Sequence, residues 1–195
     1  MTDKIGLFGG SFDPIHIAHL IIASVIKDEF NLERIIFIPN FVSPFKINST
    51  NTKIDHRLEM LKYSISDNED FDLSDFEANK NRTVYTYETV GYFKEKYPDK
   101  NFCIIVGYDS YKTLNDWKNY SFIEENAEII VALRPGEENC DRKDSDKVKF
   151  SKFCPQMNIS STMIRKMVAN KLSIKYLVNE KVRYYINDKK LYEEK

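Results

Sequence analysis

Residues 4–19 read KIGLFGGSFDPIHIAH. Lys4–Phe8 is a short, mostly apolar run that reads as a strand, and Gly9-Gly10-Ser11 follows it as a turn. His19–Phe30 then carries Ile22, Ala23, Ile26 and Phe30 at three- and four-residue steps, the period of a helix. A strand, a glycine turn and a helix, in that order, open a βαβ unit. The glycines let the backbone approach an anion closely, and the helix start adds N–H groups and about half a positive charge. His16 and His19 are spaced to share one face of a first helical turn. Two imidazoles placed there can hydrogen-bond a phosphate chain and stabilise charge that builds on it during reaction.

Working outward, the same alternation continues. Arg34–Pro39, Phe71–Ser74, Phe102–Val106 and Glu128–Leu133 read as strands, the last two continuously apolar as strands covered on both faces are. Asp55–Ser66, with Leu58, Leu61 and Ile65 on one stripe, reads as a helix, as does Tyr87–Tyr97, stopped by Pro98. Ser161–Asn170 and Tyr176–Asn187 add two helices at the end. Strands alternating with helices predict an α/β protein with a doubly wound, mostly parallel, Rossmann-like sheet and C-terminal helices. One domain over residues 1–195 is expected, its C-terminal helical part starting at about 158. Ligands on such sheets bind at the carboxyl ends of the strands, where Gly9–Ser11 falls. Gly136–Lys147 is the one long polar stretch and reads as a surface loop.

Composition sets bounds on partners. Lys plus Arg number 29 against 30 Asp plus Glu, a formal charge of −1. A nucleic-acid binder draws affinity from phosphate neutralisation, so none is expected here, although one small anion in a locally positive pocket is compatible. The longest apolar run, Leu20–Ile26, falls far short of the ~20 residues a membrane span needs, so no membrane association is expected. With no apolar signal segment near Asp3, a cytoplasmic setting is expected. Cys103, Cys140 and Cys154 make neither a disulfide framework nor a metal motif and read as partly buried thiols. A zinc site at the histidine pair is disfavoured, since there is no HExxH and the remaining histidine, His56, lies on another helix.

A second chemical segment lies near the other end, ISSTMIRK (Ile159–Lys166). Ser160, Ser161 and Thr162 precede a helix whose apolar stripe is Met163, Ile164, Met167 and Val168. One hydroxyl suffices for an N-cap, so three suggest more than capping. Arg165, one turn in, can lean back toward the helix start and grip phosphate oxygens with its fork.

GGSFDPIHIAH resembles the (H/T)xGH signature of the nucleotidylyltransferase superfamily, a relative of the HIGH motif of class I aminoacyl-tRNA synthetases. Ala18 stands where that pattern has Gly. ISSTMIR resembles the superfamily's ISSTxIR, whose helix start and Arg bind the triphosphate of ATP. The resemblance implies ATP binding by Gly9, Gly10, Ser11, Phe12, His16, His19, Ser160, Ser161, Thr162 and Arg165, with His16, His19 and Arg165 catalytic.

Further segments are similar to the bacterial nicotinate-nucleotide adenylyltransferases. IPNFVSPFK (Ile38–Lys46) looks like their proline-rich loop, with Phe45 where many members have His. VYTYET (Val84–Thr89) resembles their SYTxDT, GYDS (Gly107–Ser110) their GxDS, and Arg134-Pro135-Gly136 their RPG. Lys46, Thr86, Tyr87, Asp109, Trp117 and Arg134 are thereby implied to bind nicotinate mononucleotide. The N–H groups of Thr86 and Tyr87 would meet its carboxylate, and Trp117 would stack on its ring. The implied reaction is transfer of the adenylyl group of ATP to that mononucleotide, in NAD biosynthesis. Mg²⁺ would enter bound with ATP, and no metal site built by the protein is expected. The alternatives are a sibling enzyme acting on nicotinamide mononucleotide or pantetheine phosphate, and a nucleotide sensor without turnover. A tRNA-linked role is disfavoured for want of basic surplus and of an anticodon-reading domain. Homo-oligomerisation is left open.

Overall fold

Strands that are apolar on both faces demand a covering layer above and below, which parallel sheets obtain from crossover helices. The computed structural model, which describes residues 3–41, 52–133, 135–137 and 144–193, has that arrangement. Strands β1 (Lys4–Gly10), β2 (Arg34–Pro39), β3 (Phe71–Leu73), β4 (Asn101–Gly107), β5 (Glu128–Ala132) and β6 (Val148–Phe150) pair in the order β3-β2-β1-β4-β5-β6, all parallel. The helices are α1 (Ile17–Glu29), α2 (Ile54–Ile65), α3 (Thr86–Lys96), α4 (Tyr108–Tyr111), α5 (Tyr120–Asn126), α6 (Ser161–Ala169) and α7 (Glu180–Asp188).

Successive strand residues go to opposite layers. Ile35, Phe37, Cys103, Ile105 and Ile130 pack against α1, α2, α6 and α7 through Ile26, Met60, Leu61, Ile164 and Val182. Ile36, Ile38, Ile104, Val106 and Val131 pack against α3 and α5 through Val90, Phe93 and Ile123. Each such buried side chain contributes ~1.5–3 kcal/mol. The two C-terminal helices therefore share the core layer of α1 and α2.

The strand order reverses between β1 and β4. Their pairing stops at Leu7↔Ile104, although β1 continues to Gly10 and β4 to Gly107. Over these last residues each strand stays with its outer neighbour, β1 with β2 to Gly10↔Pro39 and β4 with β5 to Gly107↔Ala132. A crevice thus opens at the switch point, at the carboxyl edge where ligands of doubly wound sheets bind.

Several boundaries differ from the sequence expectation. Gly9 and Gly10 are strand residues, because the β2 ladder extends through them. Helix α1 starts at Ile17 with His16 as its cap. Helix α7 starts at Glu180: Tyr176 sits at φ 70°, a left-handed conformation, and the Asn179 side chain caps the helix by accepting from the Lys181 N–H. Strand β6 and helices α4 and α5 were not anticipated; at three, four and seven residues they are too short to display a period. In the polar stretch 136–147, the described part ends in a turn where the Ser145 hydroxyl accepts from the Val148 N–H at 3.0 Å. No helix among the described residues is long and apolar enough to cross a membrane.

Candidate active site

The loop leaving β1 forms one wall of the crevice. A Cβ added at Gly9 would meet nothing within 4 Å, so the backbone there borders open space. At Gly10 it would come within 2.9 Å of the Phe12 ring, which explains glycine at that position. Phe12 has φ 46°, a left-handed conformation rare outside glycine, and its ring packs edge-on against His19, with centroids 5.1 Å apart. Phe8 meets His19 at 6.1 Å. The His16 and His19 rings stack, with centroids 3.7 Å apart and planes at 25°. The His16 N–H donates to His19 Nδ1 at 3.3 Å, so in neutral His19 the ring proton sits on Nε2. His16 itself is buried. The pair is thus a fixed, aromatic-packed unit at the start of α1.

The free N–H groups expected at that helix start are largely spent within the protein. Ile17 donates to the Leu177 carbonyl at 2.9 Å, and His19 to the His16 carbonyl at 3.0 Å. Leu177 lies far along the chain, so nothing local in the sequence signals this contact. The imidazoles and the helix field, rather than a row of open amides, are what α1 presents to an anion.

The start of α6 docks on this loop. Its three hydroxyls have three partners: Ser160 caps the helix by accepting from the Met163 N–H at 3.2 Å, Ser161 donates to the Pro14 carbonyl at 2.9 Å, and Thr162 accepts from Arg165 Nη2 at 3.3 Å. Arg165 does lean back, and its Nη1 donates to the Asp13 carbonyl at 2.7 Å. The two motifs from opposite ends of the chain are therefore hydrogen-bonded to one another.

The other wall is built by α3 and the segment after β4. Thr86 and Tyr87 are the first two residues of α3, whose N–H groups a helix leaves unpaired internally. Glu88 accepts from the Tyr85 N–H at 3.1 Å and is clasped by Arg82, which holds its carboxyl below the usual range. Arg82 thereby offsets a negative charge that would oppose an incoming carboxylate at the same helix end. Trp117 ends a 3-10 turn over Leu114–Asp116 and packs in the same apolar cluster as Tyr87 and Tyr108. Its indole Nε1 is buried and has no hydrogen-bond partner among the described residues. Lys118 lies over the Tyr85 ring at 4.5 Å, which joins this loop to the start of α3. Asp109 sits in the first turn of α4, with its side chain 63% exposed and 3.4 Å from the Lys112 ammonium. Lys46, Arg134 and Phe45 lie outside the described residues.

Sequence reasoning missed Arg57, Asp13, Tyr192 and Glu77 here. Arg57, 1% exposed, donates to the carbonyls of Ser11 and Asn40 at 2.8 Å, Phe41 at 3.0 Å and Thr52 at 3.1 Å. Asp13, also buried, accepts from the Tyr192 hydroxyl at 2.7 Å and the Thr52 N–H at 3.1 Å. Glu77 is buried and accepts from the Thr89 hydroxyl of α3 at 2.7 Å; burial pushes its carboxyl up to about 7. A signal existed for Arg57, which stands between Ile54 and Leu61 on the apolar stripe of α2. Among the described residues no group of three or more His, Cys, Asp or Glu side chains is placed to hold a metal ion.

A doubly wound sheet with paired imidazoles and a hydroxyl-rich helix start at its switch point defines a nucleotide-handling class, and the cytidylyltransferase-like family model matches residues 7–167. Relatives named probable nicotinate-nucleotide adenylyltransferase, from Salinibacter ruber and Clostridium novyi, are each 37% identical to this chain. They align over 96% of it and 97% of the first relative, and over 97% of it and 98% of the second. A solved structure of Plasmodium falciparum nicotinic acid mononucleotide adenylyltransferase complexed with NaAD superposes with a TM-score of 0.80 at 22% identity, covering 97% of both chains. The same protein complexed with APC gives 0.77. The chain belongs to the nicotinate-nucleotide adenylyltransferase family of cytidylyltransferase-like enzymes.

Proposed function

We propose that this chain transfers the adenylyl group of ATP to nicotinate mononucleotide, giving deamido-NAD and pyrophosphate. One observation carries the reading: a stacked histidine pair fastened to the start of α6 forms one wall of the switch-point crevice, and the start of α3 with the Trp117 loop forms the other.

A phosphate oxygen of the mononucleotide attacks the α-phosphorus of ATP in line. The bond from that phosphorus to the bridging oxygen breaks, and pyrophosphate leaves with the electron pair. The attacking phosphate is already ionised at neutral pH, so no general base is required. Catalysis reduces to positioning and to stabilising charge on the α-phosphoryl group and the leaving oxygen. His16 and His19 serve there, the latter through its Nε2 proton. Gly9 leaves room for the phosphates beside Gly10, Ser11 and Phe12, Ser160–Thr162 with Arg165 hold the β- and γ-groups, and Lys46 takes the phosphate of the mononucleotide. Mg²⁺ would enter with ATP and would neutralise charge on the phosphates that Ser160–Thr162 and Arg165 hold.

On the facing wall the N–H groups of Thr86 and Tyr87 receive the nicotinate carboxylate, Trp117 stacks on the pyridine, Asp109 takes ribose hydroxyls and Arg134 reaches the nucleotide. Residues 1–195 act as one domain, a reading supported by the core that α6 and α7 share with the sheet, and the setting proposed for it is cytoplasmic.

The test is pyrophosphate release with ATP and Mg²⁺, comparing nicotinate mononucleotide, nicotinamide mononucleotide and pantetheine phosphate as acceptors. Strong preference for the first is expected. Preference for nicotinamide mononucleotide discards the carboxylate reading by Thr86 and Tyr87, and preference for pantetheine phosphate discards the role of Trp117 as well. ATP binding without release from any acceptor makes the protein a sensor.

A further inference from the structure

We propose that Arg57 and Tyr192 are positioning residues for adenylyl transfer: acting through Ser11 and Asp13, they fix the loop that carries the histidine pair. The assignment rests on the reaction proposed above.

Arg57 ties together three separate pieces of backbone: Ser11 after β1, Asn40 and Phe41 after β2, and Thr52 before α2. A guanidinium can do this because its donors lie in a rigid planar fork; an ammonium has no such spread. Burial lowers the Arg57 pKa, and the charge of Asp13 opposes that loss. Asp13 is the complementary fixed point, held by its side chain and its main chain together. Its carboxylate takes the Tyr192 hydroxyl and the Thr52 N–H, while its carbonyl takes Arg165. Three residues later comes His16, and the intervening Pro14 carbonyl is gripped by Ser161.

An interior plug of apolar side chains would stabilise as well or better, because buried charged groups rarely recover their desolvation cost. What the polar hub adds is a single height and orientation for Ser11–His16. The histidine rings inherit that position, since His19 packs on Phe8 and Phe12 at the same loop's base and His16 stacks on His19. Tyr192 brings its hydroxyl from the turn that follows α7, so the far end of the described chain braces the loop after the first strand.

Tyr192→Phe deletes one hydroxyl and keeps the ring. In steady-state pyrophosphate release it should lower kcat at least about tenfold, the scale on which small misplacements of reacting groups act. KM for both substrates should stay within about threefold, since ground-state contacts are untouched. The melting temperature should fall modestly, because the buried Asp13 carboxylate loses a donor, so kcat is read well below the transition. Arg57→Lys should lower kcat as well, without rescue by the retained charge. Tyr184→Phe, the same chemical change on the exposed face of α7, should leave kcat unchanged. Unaltered kcat in Tyr192→Phe, or a lowered melting temperature as its sole effect, overturns the proposal; should Arg57→Lys fail to fold, Tyr192→Phe decides alone. Turnover by the unsubstituted protein is the reference. Its absence refutes the reaction, whereas equal turnover by Tyr192→Phe refutes the brace alone.

Discussion

On the β1 side of the crevice, Ser11–Pro14 is fastened by side chains from α2, α6 and the turn after α7, the first two gripping its carbonyls and the third the Asp13 carboxylate. On the β4 side, the backbone from Tyr108 to Trp117 is held by its own short turns, such as Lys112 N–H to Tyr108 and Trp117 N–H to Leu114, and by aromatic packing. In the proposed reaction the two walls have different work to do. Charge develops on the phosphates only in the transition state, and donors aimed at it must be fixed in advance. A pyridine ring and a carboxylate look the same before and during transfer, so their recognition lowers KM more than it raises kcat. Substitutions should sort accordingly.

The largest effect is expected at the histidines. His19→Ala should lower kcat by roughly 10²–10⁴-fold, the scale of a lost oxyanion donor, with KM for the mononucleotide little changed. A fall below tenfold in pyrophosphate release would remove His19 from the transition state. Arg57→Ala would sharpen the contrast by unfastening one wall. It leaves carbonyls of Ser11, Asn40, Phe41 and Thr52 without their donor and Asp13 without its neighbouring charge, a cost of about 3–5 kcal/mol in denaturant unfolding.

Behind the second wall, the Glu77 carboxyl is raised by burial from 4.5 to about 7. Between those values the folded protein keeps a proton that the unfolded chain has released, so stability falls as pH rises through that window and stays lower above it. Glu77→Gln still accepts from Thr89 but cannot ionise. Urea unfolding should find it more stable than the unsubstituted protein at pH 8, by up to about 3 kcal/mol, and no more stable at pH 4. Equal stability at both would mean that Glu77 titrates normally. Smaller still, Trp117→Ala should raise KM for the mononucleotide on the order of tenfold, from the ~1–3 kcal/mol of a stacked base, and leave KM for ATP alone. A matching loss in kcat would break the division between the walls.

The sequence announced the sheet through its strands, since Arg34–Pro39 is β-branched and aromatic and Phe102–Val106 and Glu128–Leu133 are apolar throughout, as strands covered on both faces are. It also singled out the two segments proposed to hold phosphate, which the structure hydrogen-bonds to one another. The fastenings stayed hidden for a physical reason: Arg57 is held by main-chain carbonyls, which every residue has, and so no partner leaves a mark in the chain. Tyr192 and Asp13 meet from opposite ends of the sequence, beyond any local pattern. The Leu177 carbonyl that occupies the Ile17 N–H is invisible for both reasons. Arg57 alone gave a clue, as a charge on an apolar stripe.

The most direct test of the division between the walls is the ratio of kcat/KM for nicotinate over nicotinamide mononucleotide, measured before and after Thr86→Pro. Proline is tolerated at the first position of a helix, and Tyr85 before it already has φ −92° and ψ 149°, so the change removes one N–H and leaves α3 in place. The ratio should fall about tenfold or more, the worth of one hydrogen bond to a charged group, with KM for ATP unchanged and Thr86→Ala retaining the preference. An unchanged ratio in Thr86→Pro would contradict carboxylate reading by α3, and with it the division between the two walls.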